Sequence, residues 1–238
     1  MNDLWSKYAQ QFYGERTHLK KDEVRYRKFT RAYKKIVGIL DVHPQCAFLD
    51  MGCGCGEMAQ AVKKEVGSYY GVDISFDSLV VAKKRNPHGL FILADMTTFY
   101  TNKRFDITTM VSSLEFCQDK HAALTRINEA LKPSGQLYIE VRNSDFLFYK
   151  LFNPFIKLFQ KIGLVSSYNA EGFKDLSVNE WANLLNRSGF KIIGRHQSIR
   201  PTIYGSLLTR IKNVLIRLNS VIAPQRYHFL VGFLCVKA

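Results

Sequence analysis

A short apolar run that ends beside an acid leads directly into three glycines at alternate positions. The segment reads AFLDMGCGCGEMA over residues 47–59, where Asp50 is followed by Gly52, Gly54 and Gly56. Glycine tolerates a positive φ and lets a ligand approach bare backbone, so the pattern predicts a parallel strand that turns tightly into a helix. In an open α/β sheet such a turn lies at the edge where ligands bind.

Two further apolar runs also end in an acid. Residues 68–73 end at Asp73, and residues 90–95 end at Asp95. Asp73 lies 21 positions after Gly52, the spacing at which a nucleotide-binding fold places its ribose-binding carboxylate. Three consecutive predicted strands therefore carry an aspartate at the same edge. A helix N-cap is the alternative role for Asp73 and Asp95, because it favours the same residue type.

These ordered motifs make the chain resemble the class I S-adenosylmethionine-dependent methyltransferases, and among them the small-molecule group that includes ubiquinone and menaquinone methyltransferases. The matching segments are LDMGCGCG, GVDIS, ADM, FDITTMVSSLEFCQD and LKPSGQLYIEV. They lie within residues 45–142, and residues 176–195 match more weakly. The resemblance implies an α/β fold, with a Rossmann-like seven-stranded, mostly parallel sheet of order 3-2-1-4-5-7-6 and helices on both faces.

The resemblance also implies which residues bind the cofactor, S-adenosyl-L-methionine. Asp50 and the glycine loop would lie against its methionine part, and Asp73 would accept hydrogen bonds from both ribose hydroxyls. Asp95 would accept from the adenine amino group, with the Met96 amide nearby. A carboxylate only accepts and a diol offers two donors, so the residue types fit. The predicted set is Asp50, Gly52, Gly54, Gly56, Asp73, Ile74, Asp95, Met96 and Ser112.

A dinucleotide-binding oxidoreductase is the main alternative for the same loop. Its usual motif places the third glycine three positions after the second, whereas Gly56 follows Gly54 by two positions. Glu57, at the predicted helix start, would repel a pyrophosphate. Adenosylmethionine has no phosphate and carries a cationic sulfonium, so the acidic loop favours the methyl donor.

The composition is that of an ordinary globular protein. Of its 238 residues, 47% are hydrophobic and 23% are charged, and we expect one methyltransferase domain over residues 1–238.

The charged N-terminal segment does not read as a secretory signal. Residues 146–165 contain three lysines and a proline, which argues against a membrane span. The five cysteines show neither paired zinc spacing nor a disulfide framework, so we expect reduced thiols, no metal and a cytoplasmic location.

The net charge of +14 is concentrated at the two ends of the chain. The balance of basic over acidic residues is +6 for residues 1–40, −2 for residues 41–145 and +10 for residues 146–238. A basic surface suits an acidic membrane, a nucleic acid or an anionic substrate. Partners should therefore be sought on the two flanks rather than on the central segment.

Three segments extend the minimal fold. We expect an N-terminal helical cap over residues 1–40 and helical insertions over residues 143–175 and 198–227. Both insertions read as basic amphipathic helices, which would pack on the core, cover an apolar acceptor as a lid, or contact a membrane peripherally. Between the two insertions, Ser177 and Glu180 form the pattern of a capping box, which predicts a helix start at residue 178.

Methyl transfer from a sulfonium depends mainly on positioning of the acceptor and exclusion of water, with a base where the acceptor must lose a proton. Glu115, in the loop after the fourth predicted strand, and His196, just after the sixth, are the candidate bases. The alternatives are a surface acid and a surface histidine without a catalytic role.

We expect methyl transfer to a small-molecule or lipid-like acceptor, such as a quinone precursor. The first alternative is a nucleic-acid methyltransferase acting on RNA. The charge permits it, but residues 111–114 read VSSL where an NPPY-type tetrapeptide would lie. The second alternative is a non-catalytic cofactor-binding partner protein, against which the complete set of loop glycines and acids argues.

Overall fold

The computed structural model describes residues 19–146, 176–197 and 230–238. Residues 1–18 of the predicted cap, residues 147–175 of the first predicted insertion and the whole second insertion lie outside these ranges. The strands are β1 Ala47–Met51, β2 Ser68–Asp73, β3 Leu90–Leu93, β4 Phe105–Val111, β5 Leu131–Arg142, β6 Phe190–Gln197 and β7 Leu230–Lys237. The helices are α1 Leu19–Val37, α2 Glu57–Val62, α3 Phe76–Arg85, α4 Lys120–Ala130 and α5 Val178–Arg187, with a 3-10 turn at Leu114–Phe116.

The seven strands form one sheet in the order β3-β2-β1-β4-β5-β7-β6. Strands β1 to β5 pair in parallel, and β7 is antiparallel to both β5 and β6. The predicted order and the mostly parallel sheet are therefore confirmed. Because β1 to β4 are parallel neighbours, the loops that follow them lie along one edge of the sheet.

Apolar layers cover both faces of the sheet, as predicted. Phe48 of β1 packs with Met58 of α2 and with residues of α1 on one face. Leu49 packs on the other face with Leu124 of α4 and Trp181 of α5. A parallel strand buried on both faces needs a mostly apolar sequence, which explains the residues of β1 other than Asp50.

Side-chain caps fix the starts of three helices. Ser75 accepts a hydrogen bond from the third residue of α3, and Asp119 accepts one from Ala122 in α4. At α5 the Ser177 hydroxyl accepts from Glu180, whose carboxylate accepts in return from the Ser177 amide. The predicted capping box is confirmed. Each cap satisfies backbone N–H groups that have no partner within the helix.

The part of the chain that the structure describes contains no helix with the length and apolar character needed to cross a bilayer.

Candidate functional site

A cavity lies at the carboxyl ends of β1, β2 and β4. Its lining residues are Gly52, Val72, Asp73, Ile74, Ala94, Asp95, Met96, Thr97, Ser112, Ser113, Phe116, Cys117, Gln118 and Asp119. Six of the nine predicted cofactor residues are among them, because the loops after four parallel strands meet at this edge. Asp50, Gly54 and Gly56 do not line the cavity, although the Gly54 amide donates to the lining residue Asp73.

The turn after β1 depends on a glycine that is enclosed by its neighbours. Gly52 has φ +78°, and its amide donates to the Val72 carbonyl at 2.7 Å. A Cβ on Gly52 would lie 2.3 Å from Ser113 Cβ. Ser113 is itself held in place, because its hydroxyl donates to the Met51 carbonyl at 2.7 Å. Both the backbone conformation and the available space therefore require glycine.

Asp73 connects the first two loops of the cavity. Its Oδ2 accepts from the Gly54 amide at 2.8 Å, and its Oδ1 accepts from the Ser75 amide at 2.9 Å. Each carboxylate oxygen can accept a second hydrogen bond, so the group that shapes the loops can also receive a diol. Ser75, not Asp73, caps α3, so the N-cap alternative for Asp73 is wrong.

Asp95 lies at the exposed side of the cavity. Its Oδ1 accepts hydrogen bonds from the Thr97 amide and the Thr97 hydroxyl, each at 2.8 Å. This turn orients the carboxylate next to Met96, which also lines the cavity. No helix lies between β3 and β4, so the N-cap alternative for Asp95 is also wrong.

Asp50 lies behind the cavity rather than in its lining. Tyr69 donates to its Oδ2 and Thr109 to its Oδ1, both at 2.8 Å. Burial raises the pKa of the Asp50 carboxyl from 3.8 to about 7, although the two hydrogen bonds act in the opposite direction. Asp50 therefore connects β1 to the strands on either side. Asp50 is not among the residues that line the cavity, and its place beside the methionine part of the cofactor stays a prediction.

Gly56 is held by two side chains that sequence reasoning missed. Its carbonyl accepts from the Tyr26 hydroxyl at 3.2 Å and from Asn86 Nδ2 at 3.1 Å. The Arg85 guanidinium lies over the Tyr26 ring, 4.2 Å from its centroid, and burial raises the pKa of Tyr26 to about 12. These contacts join positions 30 to 60 residues apart, so no local pattern could reveal them. They connect α1 and α3 to the end of the glycine loop.

Ser112 is the described residue other than glycine with a positive φ, at 53°. Its amide donates to the Glu140 carbonyl at 2.8 Å. Its hydroxyl is buried and has no hydrogen-bond partner among the residues described. A left-handed conformation costs a residue other than glycine about 1–3 kcal/mol. Backbone strain and an unsatisfied hydroxyl in one cavity wall fit a residue that meets a ligand.

The structure does not bring the two candidate bases together. Glu115 is 1% exposed and lies 3.8 Å from Arg142 Nε, so the surface-acid alternative is wrong. It does not line the cavity, although Phe116 does. His196 lies within β6 rather than after it, with its ring 6.4 Å from that of Tyr138. It is likewise absent from the cavity lining.

The charges of the lining fit adenosylmethionine. Asp73, Asp95 and Asp119 contribute carboxylates, and no described lining residue is a lysine, arginine or histidine. A pyrophosphate would require cationic or backbone donors here, whereas a cationic, phosphate-free nucleoside needs acceptors. Within the described ranges no cluster of three His, Cys, Asp or Glu side chains could hold a metal ion. The lining residues therefore suit the methyl donor better than a dinucleotide.

Gly52→Ala is expected to abolish detectable binding of S-adenosylhomocysteine (SAH), the demethylated cofactor. The added Cβ meets Ser113 Cβ and forces a left-handed conformation on alanine. Isothermal titration calorimetry measures the affinity. Gly38→Ala is the matched control, because its Cβ would make only ordinary contacts, 3.6 Å from the nearest atoms. Wild-type affinity in Gly52→Ala would show that this turn does not shape the binding site.

Asp50→Asn is expected to change how stability depends on pH. The folded protein keeps the Asp50 proton up to about pH 7, whereas an unfolded chain releases it near pH 4. The contribution of Asp50 to the free energy of unfolding therefore falls as pH rises from about 4 to about 7 and is constant above that. Urea unfolding at several pH values measures the difference between wild type and Asp50→Asn. A difference that stays constant or increases over this range would contradict the assigned protonation.

Comparison with known proteins agrees with this geometry. The family described as "Methyltransferase domain" matches residues 22–194. The human mitochondrial arginine-hydroxylase NDUFAF5 is 28% identical over 152 residues, which cover 61% of this chain and 42% of that protein. The ubiquinone biosynthesis O-methyltransferase of Hydrogenovibrio crunogenus is 28% identical over 111 residues, which cover 43% of this chain and 45% of that protein. The chain thus spans less than half the length of each relative.

A solved methyltransferase shares this fold. Magnesium protoporphyrin IX methyltransferase from Synechocystis PCC 6803, solved with bound SAH, superimposes with a TM-score of 0.67 at 11% identity and covers 100% of both chains. S-adenosyl-L-methionine is the cofactor that this family and the acidic lining both indicate. Because the family match covers most of the sequence, the chain belongs to the class I S-adenosylmethionine-dependent methyltransferases.

Proposed function

We propose that the chain transfers a methyl group from S-adenosyl-L-methionine to a small-molecule or lipid-like acceptor. One observation carries the proposal: a single cavity combines acidic residues with the apolar wall of Phe116 and Cys117. The acidic part suits the donor, and the apolar wall suits an uncharged acceptor. A nucleic-acid backbone would need cations near the transferred group, and the described lining supplies none.

Bound adenosylmethionine supplies a methyl group that its sulfonium already activates. The protein's own residues then need to hold the two reactants in line and exclude water. Asp73 and Asp95 have the acceptor oxygens to hold the ribose and the adenine, and Ile74 and Met96 supply apolar contacts between them. Ser112 places a buried hydroxyl at the wall that follows β4.

The names of two relatives bear on the acceptor and on the reaction. The Hydrogenovibrio relative is named as an O-methyltransferase of ubiquinone biosynthesis, which supports an oxygen on a quinone-type precursor. The human relative is named as an arginine-hydroxylase, so a test of function must distinguish methyl transfer from addition of oxygen.

Labelled methyl donor tests the proposed reaction. The chain is incubated with methyl-tritiated adenosylmethionine and a cell extract, which is then separated into lipid, small-molecule, RNA and protein fractions. We expect label in the lipid or small-molecule fraction. Asp73→Ala should lower the incorporation by about tenfold or more, because hydrogen bonds to a charged group contribute about 1.5–3 kcal/mol. Asp77→Ala removes an exposed carboxylate of α3 and is the matched control that retains activity.

Each other outcome of this assay contradicts the proposal in a different way. Label that nuclease releases would indicate an RNA methyltransferase. A product that has gained oxygen rather than a methyl group in the mass spectrum would indicate a hydroxylase. SAH binding by calorimetry without labelled product in any fraction would favour a non-catalytic cofactor-binding protein.

We also propose that the chain is cytoplasmic and contacts membranes at their surface. The balance of +10 over residues 146–238 supports this, because basic segments are attracted to anionic lipid. Sedimentation with phosphatidylserine vesicles is expected to remove the protein from solution at low salt and to leave it there at high salt. Vesicles of phosphatidylcholine alone are the control. Protein that stays in solution with anionic vesicles at low salt would remove membrane contact from the proposal.

A further inference from the structure

Three side chains meet where β5 ends beside the 3-10 turn that follows β4. Arg142, the last residue of β5, places its guanidinium 5.0 Å from the centroid of the Phe116 ring. Its Nε lies 3.8 Å from Glu115 Oε1. Phe116 lines the cavity, whereas Glu115 and Arg142 do not. The ion pair therefore lies directly behind one wall of the site.

We propose that Glu115 and Arg142 form a positioning pair that holds Phe116 in the cavity wall. The inference depends on binding of the cofactor and not on the identity of the acceptor. It gives Glu115 a role through Phe116 rather than through contact with the reacting atoms. Arg142, which the sequence motifs did not single out, becomes a residue that determines the shape of the site.

The chemistry of the three groups supports a joint role. A carboxylate that is 1% exposed is costly to bury unless a cation compensates it. A guanidinium is planar, so it can pair with a carboxylate and stack on a ring at the same time. Lysine could provide the charge but not the planar face. The two contacts of Arg142 therefore fix where the 3-10 turn lies and how the Phe116 ring is oriented.

The pair also lies where the first predicted insertion begins. The Arg142 carbonyl accepts from Trp181 Nε1 at 2.9 Å, and the predicted insertion starts at residue 143. Trp181 is completely buried in the apolar layer beside α4. The backbone of Arg142 is thus fixed by the core while its side chain contacts the cavity wall. The position of the Phe116 wall therefore depends on the position of Arg142 at the end of β5.

A double-mutant cycle tests the proposal. It compares the SAH affinities of the wild type, the two single variants and the double variant. Glu115→Gln and Arg142→Gln are each expected to weaken SAH binding by about fivefold or more, because each removes the ion pair between the buried Glu115 carboxylate and Arg142. The fold loss of SAH affinity in the double variant is expected to be smaller than the product of the two single losses. The SAH affinity of Arg142→Lys should lie between those of the wild type and Arg142→Gln, since lysine keeps the charge but lacks the planar face. Calorimetry gives the affinities, and thermal unfolding shows whether each variant folds.

The coupling to Phe116 distinguishes positioning of the wall from general stability. In a Phe116→Leu background, Glu115→Gln should have little further effect on SAH affinity, although it still changes the melting temperature. Arg126→Gln and Glu129→Gln are the matched controls, because that pair is exposed on α4 with its charged atoms 2.8 Å apart. They should leave the SAH affinity unchanged.

Two results would overturn the inference. One is wild-type SAH affinity in folded Glu115→Gln and Arg142→Lys. The other is an effect of Glu115→Gln that is the same with and without the Phe116 ring. Absence of a labelled methyl acceptor with normal SAH binding would instead count against the proposed function and would leave the positioning pair standing.

Discussion

The carboxylate of Asp73 is the group on which the geometry of the site depends. It accepts one backbone N–H from the glycine loop and one from the turn before α3, so the ends of β1 and β2 have a fixed separation. Charged acceptors make stronger hydrogen bonds to amides than neutral acceptors do. Asp73 is also buried, with an exposure of 7%. The same residue lines the cavity. The structure of the loops and the proposed binding of the cofactor therefore depend on one residue.

A second acid at the same edge has a different role because it lies inside the sheet, between β2 and β4. Asp50 shares the face of Phe48 and Tyr69, and its carboxyl accepts from Tyr69 and Thr109 inside the sheet. Its raised pKa comes first from burial, and the nearby negative charge of Asp73 adds to it. Asp50 therefore supports the strands on either side of it, whereas Asp73 lines the cavity.

The positions of Gly52, Asp73 and Asp95 at the cavity and the capping box of α5 could be predicted from local patterns, because the ends of parallel strands meet at one edge of a sheet. The sheet order followed from the resemblance to the methyltransferase family. The contacts of Asp50 with Tyr69 and Thr109 could not be predicted, because they form only when β1 pairs with β2 and β4. Tyr26 and Asn86 meet Gly56 from 30 residues away on either side. Glu115 and Arg142 are likewise brought together only by the pairing of β4 with β5.

Two contacts lie next to the cavity, one within the N-terminal basic flank and one just before the C-terminal basic flank. On the N-terminal side, the hydroxyl of Tyr26 connects α1 to the last glycine of the loop. On the other side, Arg142 contacts the Phe116 wall and directly precedes residue 143, where the first predicted insertion begins. The residues proposed to hold the donor come from the slightly acidic centre of the chain. A force on α1, or on the backbone that follows Arg142, would reach this site at least through the Tyr26–Gly56 and Arg142–Phe116 contacts.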